Sequence, residues 1–331
     1  MKMMLKPQDY SLQEAFGPQF PADQVVAGYE PSDCSFVPER DTEWEWDRST
    51  LRDLVMWWME GGHDPIYLFG HTGAGKSAGL RNFCAALQIP FYERTIYEGL
   101  EFVEVLTTTD LIDGTTVTSY GLLPLAMGVE GYPGMFNADD VDRADPGFLS
   151  GFYEVLQGQP VTTNVGGVDI VKPQPGFRIA ATGNTALMGD RLGVYTGAKQ
   201  QDIAFQDRFW KLEANYLPED IEKKLVNKVV PQLDSRITDH MVDVANELRS
   251  AFMGLSDANS ALPFPMSTRS LLRWAHMTYL YRDAEQQGIS PVFYALDRAF
   301  LNAANGDPDV RLAIEKLVEG KLGPNPGGSN G

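Results

Sequence analysis

The chain has 331 residues, of which 43% are hydrophobic, and its formal net charge is −18 at pH 7. This length is sufficient for one large α/β domain and a smaller domain, each with its own core. The acidic balance disfavours a nucleic-acid binder, whose phosphate contacts need clustered lysines and arginines. No apolar run approaches the ~20 residues that span a bilayer, and the N-terminal sequence lacks the apolar core of a secretory signal, so we expect a cytoplasmic protein without a membrane contact.

The first half of the chain alternates strand and helix patterns. Residues 1–48, rich in Pro, Asp and Glu, are interpreted as an N-terminal extension, and a helix is predicted over residues 49–60. An apolar strand, PIYLFG, then precedes the glycine-rich GHTGAGKS, a helix over residues 78–87 and a strand around IPFYERTI. This βαβ order predicts a parallel sheet covered by helices.

Further strands are predicted over residues 134–138 and 177–182, with a helix, PGFLSGFYEVLQG, and a hairpin around Gly166-Gly167 between them. From about residue 218 the pattern is helical. We therefore predict four parts: an extension over residues 1–48, an α/β nucleotide-binding domain over 49–216, a small helical domain over 217–320 and a disordered tail over 321–331.

The glycine-rich segment matches the phosphate-binding pattern G-x-x-x-x-G-K-[ST] and lies between a predicted strand and a predicted helix. Its glycines allow a tight turn whose backbone N–H groups face phosphates, next to the positive end of the helix dipole. Lys76 would reach the β- and γ-phosphates of ATP, and Ser77 would bind Mg²⁺. The predicted nucleotide-binding residues are Gly70, His71, Thr72, Gly73, Ala74, Gly75, Lys76, Ser77 and Ala78.

A second carboxylate is expected at the end of a neighbouring strand. Asp139 follows the apolar-leaning GMFNA and is the candidate metal residue, and Asp140 beside it would polarise the attacking water. The alternative is a solvated acidic turn, because Asp142 and Asp145 follow closely and such clusters occur at helix N-termini. The phosphate loop upstream favours the metal site.

The order of motifs resembles the AAA+ ATPases, in particular the MoxR-like branch and its CobS-type cobaltochelatase subunits. The matching stretches, between about residues 36 and 274, are GHTGAGKS, DLIDG with YGLLPLAM, DDVDRADP, ATGNTALMGDRLGVYTGAKQQDIAFQDRFW, NYLPED and MSTRSLLRW. The resemblance implies a P-loop NTPase fold with a parallel sheet flanked by helices, followed by a C-terminal helical lid domain. It also implies ATP and Mg²⁺ as cofactors.

Three further catalytic residues follow from this resemblance. Asn184 resembles sensor 1, Arg208 resembles the arginine finger that reaches a neighbouring subunit, and Arg269 resembles sensor 2. Guanidinium groups stabilise the charge that develops on the γ-phosphate. Each residue also has a structural interpretation: Asn184 could form a turn, Arg208 could pair with a nearby aspartate, and Arg269 could support the C-terminal helices.

Two segments resemble insertions typical of this branch, residues 107–127 and the predicted hairpin over 160–173, which would face a pore or a partner. Ordinary surface loops remain an alternative. Two positions depart from the family: Asp140 replaces the usual glutamate, and Asn137 interrupts an apolar strand. A carboxylate one methylene shorter can be misplaced by about 1 Å, which can cost ~10²-fold in rate, so we expect slow hydrolysis.

The resemblance implies an oligomeric ATPase, expected to be a hexamer, that couples ATP binding and hydrolysis to remodelling of a partner protein. A narrower alternative is the ATPase subunit of a cobaltochelatase-type complex, with a CobT-like partner that carries a von Willebrand A domain. A second alternative is a nucleotide-gated scaffold with negligible hydrolysis. Nucleic acid is not an expected partner, because the chain is acidic.

Overall fold

The computed structural model describes residues 5–190, 193–254, 262–304 and 307–325. The chain forms two compact units. Unit 1 comprises residues 1–42, 48–71 and 75–215, and unit 2 comprises residues 43–47, 72–74 and 216–331.

The strands, in chain order, are β1 (Pro7–Ser11), β2 (Val25–Tyr29), β3 (Ile66–Phe69), β4 (Phe91–Thr95), β5 (Thr107–Ile112), β6 (Thr115–Tyr120), β7 (Met135–Asp139), β8 (Val161–Thr163), β9 (Asp169–Val171), β10 (Arg178–Gly183) and β11 (Trp210–Glu213). The helices are α1 (Leu12–Phe16), α2 (Arg48–Glu60), α3 (Lys76–Ala86), α4 (Val103–Leu106), α5 (Leu122–Ala126), α6 (Pro146–Leu156), α7 (Ile203–Gln206), α8 (Glu219–Val229), α9 (Ser235–Phe252), α10 (Thr268–Leu280), α11 (Pro291–Ala299) and α12 (Pro308–Leu322).

Unit 1 is built on a five-stranded parallel sheet with the order β11-β3-β10-β7-β4. Its central strands are short apolar runs, as expected when helices cover both faces of a parallel sheet. The prediction of a parallel sheet flanked by helices is confirmed. Sequence reasoning missed β11, because Trp210–Glu213 is a four-residue strand at the edge of the sheet and lacks the continuous apolar run of the central strands.

Aromatic side chains fill much of the core between the sheet and α6. Phe148 and Phe152 have ring centroids 5.6 Å apart, and Phe152 lies 6.1 Å from Phe136 on β7. All three rings are buried. The apolar face of α6 therefore fixes that helix against the strand that carries Asp139 at its end.

The N-terminal residues belong to unit 1 and have structure of their own. β1 pairs with β2 in an antiparallel ribbon. The Phe16 ring stacks on Phe83 of α3 with a centroid distance of 5.2 Å, and Tyr29 N donates to Leu87 O at 3.0 Å. These residues thus pack on the helix that follows the phosphate loop.

Two hairpins extend the α/β fold. The predicted hairpin around Gly166-Gly167 is confirmed as β8 and β9, whereas sequence reasoning did not predict that residues 107–120 form the hairpin of β5 and β6. The Tyr120 hydroxyl donates to Asp169 Oδ2 at 2.6 Å, so the two hairpins are joined by a side-chain hydrogen bond.

Unit 2 contains α8 to α12, packed around buried residues that include Met241, Leu271 and Trp274. Sequence reasoning missed α12, which begins after the Asp307 cap and continues to Leu322. The predicted tail over 321–331 therefore overlaps the end of this helix, and its residues 326–331 lie outside the described part of the chain. Among the described helices, none is long and apolar enough to cross a membrane.

A buried ion pair joins three helices of unit 2. Arg249 on α9 donates to both carboxylate oxygens of Glu222 on α8, at 2.6 and 2.9 Å. Thr268 at the start of α10 donates to Glu222 Oε1 at 2.6 Å, and Arg249 Nε donates to Met266 O at 2.7 Å. Glu222 and Arg249 are almost fully buried, so each charge depends on the other.

Removal of one partner of this pair is expected to destabilise unit 2. In Arg249→Ala, Glu222 would remain as an uncompensated buried charge, and we expect a loss of about 3–5 kcal/mol in the free energy of unfolding, measured by urea denaturation. Arg236→Ala is the matched control, because Arg236 lies on the same helix but its ion pair with Asp234 is exposed. Equal effects of the two substitutions would contradict this account.

Candidate active site

The phosphate loop connects β3 to the start of α3. Gly70 and Gly75 have φ values of +145° and +84°, which favour glycine. A Cβ atom at Gly70 would also overlap the carbonyl oxygen of Ala214. Gly75 is the N-cap of α3 and has no side chain to cap it, so the loop presents the N-terminal end of a helix as an anion site.

Lys76 lies inside this loop and is largely buried. Its Nζ donates to the backbone oxygens of Gly70 and His71, at 2.8 and 3.1 Å, and to Asn184 Oδ1 at 3.1 Å. Asn184 follows the end of β10, the strand next to β3. The structure therefore brings the predicted phosphate-binding lysine and the residue that resembles sensor 1 into direct contact.

The Asp139 carboxylate receives two hydroxyl groups at the end of β7. Ser77 Oγ and Thr182 Oγ1 each donate to Asp139 Oδ1 at 2.5 Å. Ser77 lies in the first turn of α3 and Thr182 near the end of β10, so three elements meet at this carboxylate. Sequence reasoning missed Thr182. The only sequence feature that could have indicated it is its position directly before Gly183 and Asn184, at the end of a predicted strand.

Asp140 has an unusual backbone conformation, with φ +56° and ψ +39°. Aspartate is among the non-glycine residues that most readily adopt this left-handed region. The Asp140 N–H donates to Thr182 Oγ1 at 3.3 Å, and Asn184 Nδ2 donates to Asp140 Oδ1 at 3.4 Å. Burial, followed by the nearby charges of Asp139 and Asp142, raises the pKa of Asp140 above its ordinary value.

Ser77 and Asp139 fit Mg²⁺ chemically. Mg²⁺ prefers oxygen ligands and is usually held by one or two protein groups together with substrate phosphates and water. The hydroxyl and the carboxylate already face each other, at the edge of the phosphate loop. A hydroxyl and a carboxylate beside a phosphate loop suit a metal ion that is also bound by phosphate and water. In the described ranges there is no cluster of three or more His, Cys, Asp or Glu residues that could hold a metal ion.

Two predicted catalytic residues, Arg208 and Arg269, do not contact the residues around Lys76 and Asp139 in the described hydrogen bonds. Arg208 follows α7, where its Nη1 donates to Ala204 O and its guanidinium lies over the Tyr153 ring, 4.5 Å from the centroid. Neither contact involves a carboxylate. Arg269 lies on α10 of unit 2, the unit that also includes Thr72, Gly73 and Ala74. The roles of Arg208 and Arg269 remain predictions.

Asn137 is fully buried within β7. Its Nδ2 donates to Glu93 Oε1 on the neighbouring β4 at 2.9 Å, and Arg81 of α3 donates to the other Glu93 oxygen. The polar residue in this apolar strand thus has a polar partner on the adjacent strand. Burial raises the pKa of Glu93, and the hydrogen bond from Asn137 opposes that change.

One protein family and several known proteins are similar in sequence to this chain. Residues 222–320 match the CbbQ/NirQ/NorQ C-terminal family. The chain is 28% identical over 283 residues to the aerobic cobaltochelatase subunit CobS of Sinorhizobium sp, across 82% of this chain and 81% of CobS. The chain is thus similar to CobS over most of its length. An uncharacterized protein of Staphylococcus epidermidis is 22% identical over 251 residues, across 68% of this chain and 87% of its own length.

Solved structures with partial similarity include a putative ATPase from Cytophaga hutchinsonii, with a TM-score of 0.42 and 16% identity, covering 83% of this chain and 89% of that one. A mutant of RuvB from Thermotoga maritima has a TM-score of 0.46 and 12% identity, covering 84% of this chain and 82% of that one.

Thr182→Val is expected to weaken Mg²⁺-dependent nucleotide binding, because Asp139 would lose one of the two hydroxyl groups that orient it. Loss of such an outer partner typically costs about 10–100-fold in metal affinity. We expect at least a tenfold rise in the Mg²⁺ concentration needed for half-maximal ATP binding, measured by calorimetric titration. Thr163→Val is the matched control, since Thr163 is buried and its hydroxyl lacks a hydrogen-bond partner in the described structure. Equal Mg²⁺ requirements in the two variants would contradict the assigned role.

Proposed function

We propose that the protein is a Mg²⁺-dependent ATPase that acts as an oligomer and couples ATP hydrolysis to remodelling of a partner protein. The observation that carries the ATPase assignment is the contact of Asn184 with both Lys76 and Asp140, beside the Asp139 carboxylate that faces Ser77. A loop that only bound phosphate would need Lys76 and the helix N-terminus, but not a carboxylate and an amide beside them.

Each residue has a distinct role in this proposal. Lys76 binds the β- and γ-phosphates of ATP. Ser77 and Asp139 would hold Mg²⁺, which would neutralise charge on the phosphate oxygens. Asp140 accepts the proton of the attacking water. Asn184, in contact with Lys76 and Asp140, orients that water toward the γ-phosphate.

The raised pKa of Asp140 suits a proton acceptor, because a more basic carboxylate binds the proton of water more readily. Its side chain is also shorter than glutamate, and the left-handed backbone favours aspartate over a longer residue. We propose that hydrolysis is slow because the shorter Asp140 side chain does not bring its carboxylate to the position that a glutamate carboxylate would reach.

We further propose that Arg208 acts as an arginine finger on the ATP of a neighbouring subunit, in a hexameric ring. Within the described residues, its guanidinium contacts a backbone carbonyl and an aromatic ring, so no ion pair would have to break. Arg269, on α10 of unit 2, is proposed to act as sensor 2. Both assignments rest on the similarity to CobS and on the charge that phosphoryl transfer develops.

The similarity to a cobaltochelatase subunit suggests a narrower version. In that version the protein drives metal insertion with a CobT-like partner that carries a von Willebrand A domain. The competing candidate is a nucleotide-gated scaffold, in which ATP fixes assembly without turnover. Phosphate release distinguishes this scaffold from the ATPase, and co-purification with a von Willebrand A protein supports the partner assignment.

Asp140→Asn is expected to lower kcat by at least ~10²-fold while ATP affinity changes little, because the amide cannot accept a proton but still accepts a hydrogen bond. Lys76→Ala should abolish ATP binding itself. Steady-state phosphate release and calorimetric titration separate these effects. Asp64→Asn is the control, since this exposed residue precedes β3 outside the site. If wild-type phosphate release equals that of Asp140→Asn, with and without a partner, the ATPase proposal fails.

The raised pKa of Asp140 also predicts the pH dependence of hydrolysis. Protonation removes the proton acceptor, so kcat should fall as the pH decreases through the Asp140 pKa, and this decline should begin at a higher pH than for an ordinary aspartate. This decline is measured by determining kcat at pH values from about 4 to 8. The residual activity of Asp140→Asn should lack this acidic decline; its persistence would assign the titration to another group.

A further inference from the structure

Asp142 has the hydrogen bonds of a site residue, although the sequence suggested only that it belongs to an acidic turn. It lies on the short 3-10 turn Val141–Arg143 directly after β7, and it is fully buried. Its Oδ2 accepts three hydrogen bonds from the segment that follows β10. The donors are Asn184 N at 2.8 Å, Thr185 N at 3.0 Å and Thr185 Oγ1 at 3.1 Å.

The same segment is held from the opposite side. The Tyr67 hydroxyl, on β3, donates to the carbonyl oxygen of Thr185. A Cβ atom at Gly183 would lie 2.8 Å from Asp142 Cγ and would overlap the Tyr67 hydroxyl, so this close packing requires glycine at position 183. Both the N–H groups and the carbonyl of the segment are therefore fixed by buried side chains.

This backbone positions the Asn184 side chain, which contacts both the Lys76 ammonium group and the Asp140 carboxylate. Asn184 Oδ1 accepts from Lys76 Nζ, and Asn184 Nδ2 donates to Asp140 Oδ1. The longer of these contacts, at 3.4 Å, is weak and depends on where the Asn184 backbone lies. A displacement of about 1 Å at such a position can cost ~10²-fold in rate.

We propose that Asp142 is a positioning residue of the ATPase reaction: its buried carboxylate holds the Asn184–Thr185 backbone and thereby sets the Asn184 side chain between Lys76 and Asp140. The predicted effect of Asp142 on the reaction rate rests on the proposed ATPase function. The hydrogen bonds that it invokes exist without nucleotide.

The chemistry of the position supports more than a packing role. Asp142 Oδ1 is buried and has no hydrogen-bond partner in the described structure. A buried carboxylate with one unpaired oxygen costs stability. A carboxylate accepts N–H bonds about twice as strongly as a neutral group, which is an advantage where the two donors must be held in one place.

The test compares Asp142→Ala and Asp142→Asn with the control Asp145→Ala. Asp145 lies on the same segment, is partly exposed, and contacts Gly99 and Lys199 rather than residues 184–185. Three quantities are measured on the full chain: hydrogen–deuterium exchange of the Asn184 and Thr185 amides, calorimetric affinity for ADP, and kcat for ATP. Exchange is recorded without nucleotide and needs no activity.

In Asp142→Ala we expect amide exchange at residues 184–185 to accelerate at least about tenfold and kcat to fall about 10–10²-fold, with ADP affinity within about threefold of wild type. Asp142→Asn retains an acceptor oxygen and should fall between these values and wild type. Asp145→Ala should match wild type in all three. A purely structural role would lower the melting temperature without separating kcat from affinity.

Unchanged exchange in folded Asp142→Ala, or a kcat within twofold of wild type, would overturn the proposal. If Asp142→Ala does not fold, Asp142→Ser replaces it, because a serine keeps a polar atom but is too short to reach both N–H groups. Absence of ATP turnover in the wild type would instead overturn the ATPase function, and the exchange rates would still decide whether Asp142 holds the segment.

Discussion

The site depends on the alignment of three adjacent parallel strands, β3, β10 and β7, whose carboxyl ends meet at one edge of the sheet. Parallel strands bring their ends to the same edge, so residues more than a hundred positions apart in sequence become neighbours. The contact between Lys76 and Asn184 is the direct result. Burial of β7 and α6 in an aromatic core holds this edge in place.

The phosphate loop and the central strands were predictable because their signals are local. A fixed pattern of glycines, a lysine and a serine is read from eight consecutive residues, and short apolar runs between helical patterns predict parallel strands. The edge strand β11 lacked such a run, and α12 begins after a polar, proline-containing segment that resembles a loop. The β5–β6 hairpin was missed because its threonine-rich strands are exposed.

The residues that sequence reasoning missed act through contacts across the fold. Thr182 and Asp142 lie in the stretches ATGNT and DDVDRADP that resemble the family, but the sequence predicted no contact for either residue. Their contacts form only because β7 and β10 lie side by side. The backbone of Asp140 is a similar case. Its left-handed conformation gives a local reason for aspartate where the family that the sequence resembles usually has glutamate, and a sequence does not display a dihedral angle.

The central claim is that one set of residues binds the nucleotide, the metal and the attacking water. A crystal structure with Mg²⁺, ADP and aluminium fluoride, an analogue of the transferring phosphoryl group, tests it most directly. We predict Lys76 and Asn184 within hydrogen-bonding distance of the fluoride group, Ser77 bound to Mg²⁺ and Asp140 beside the attacking water. Nucleotide bound away from the loop, or Asn184 and Asp140 both turned from the fluoride group, would contradict the claim.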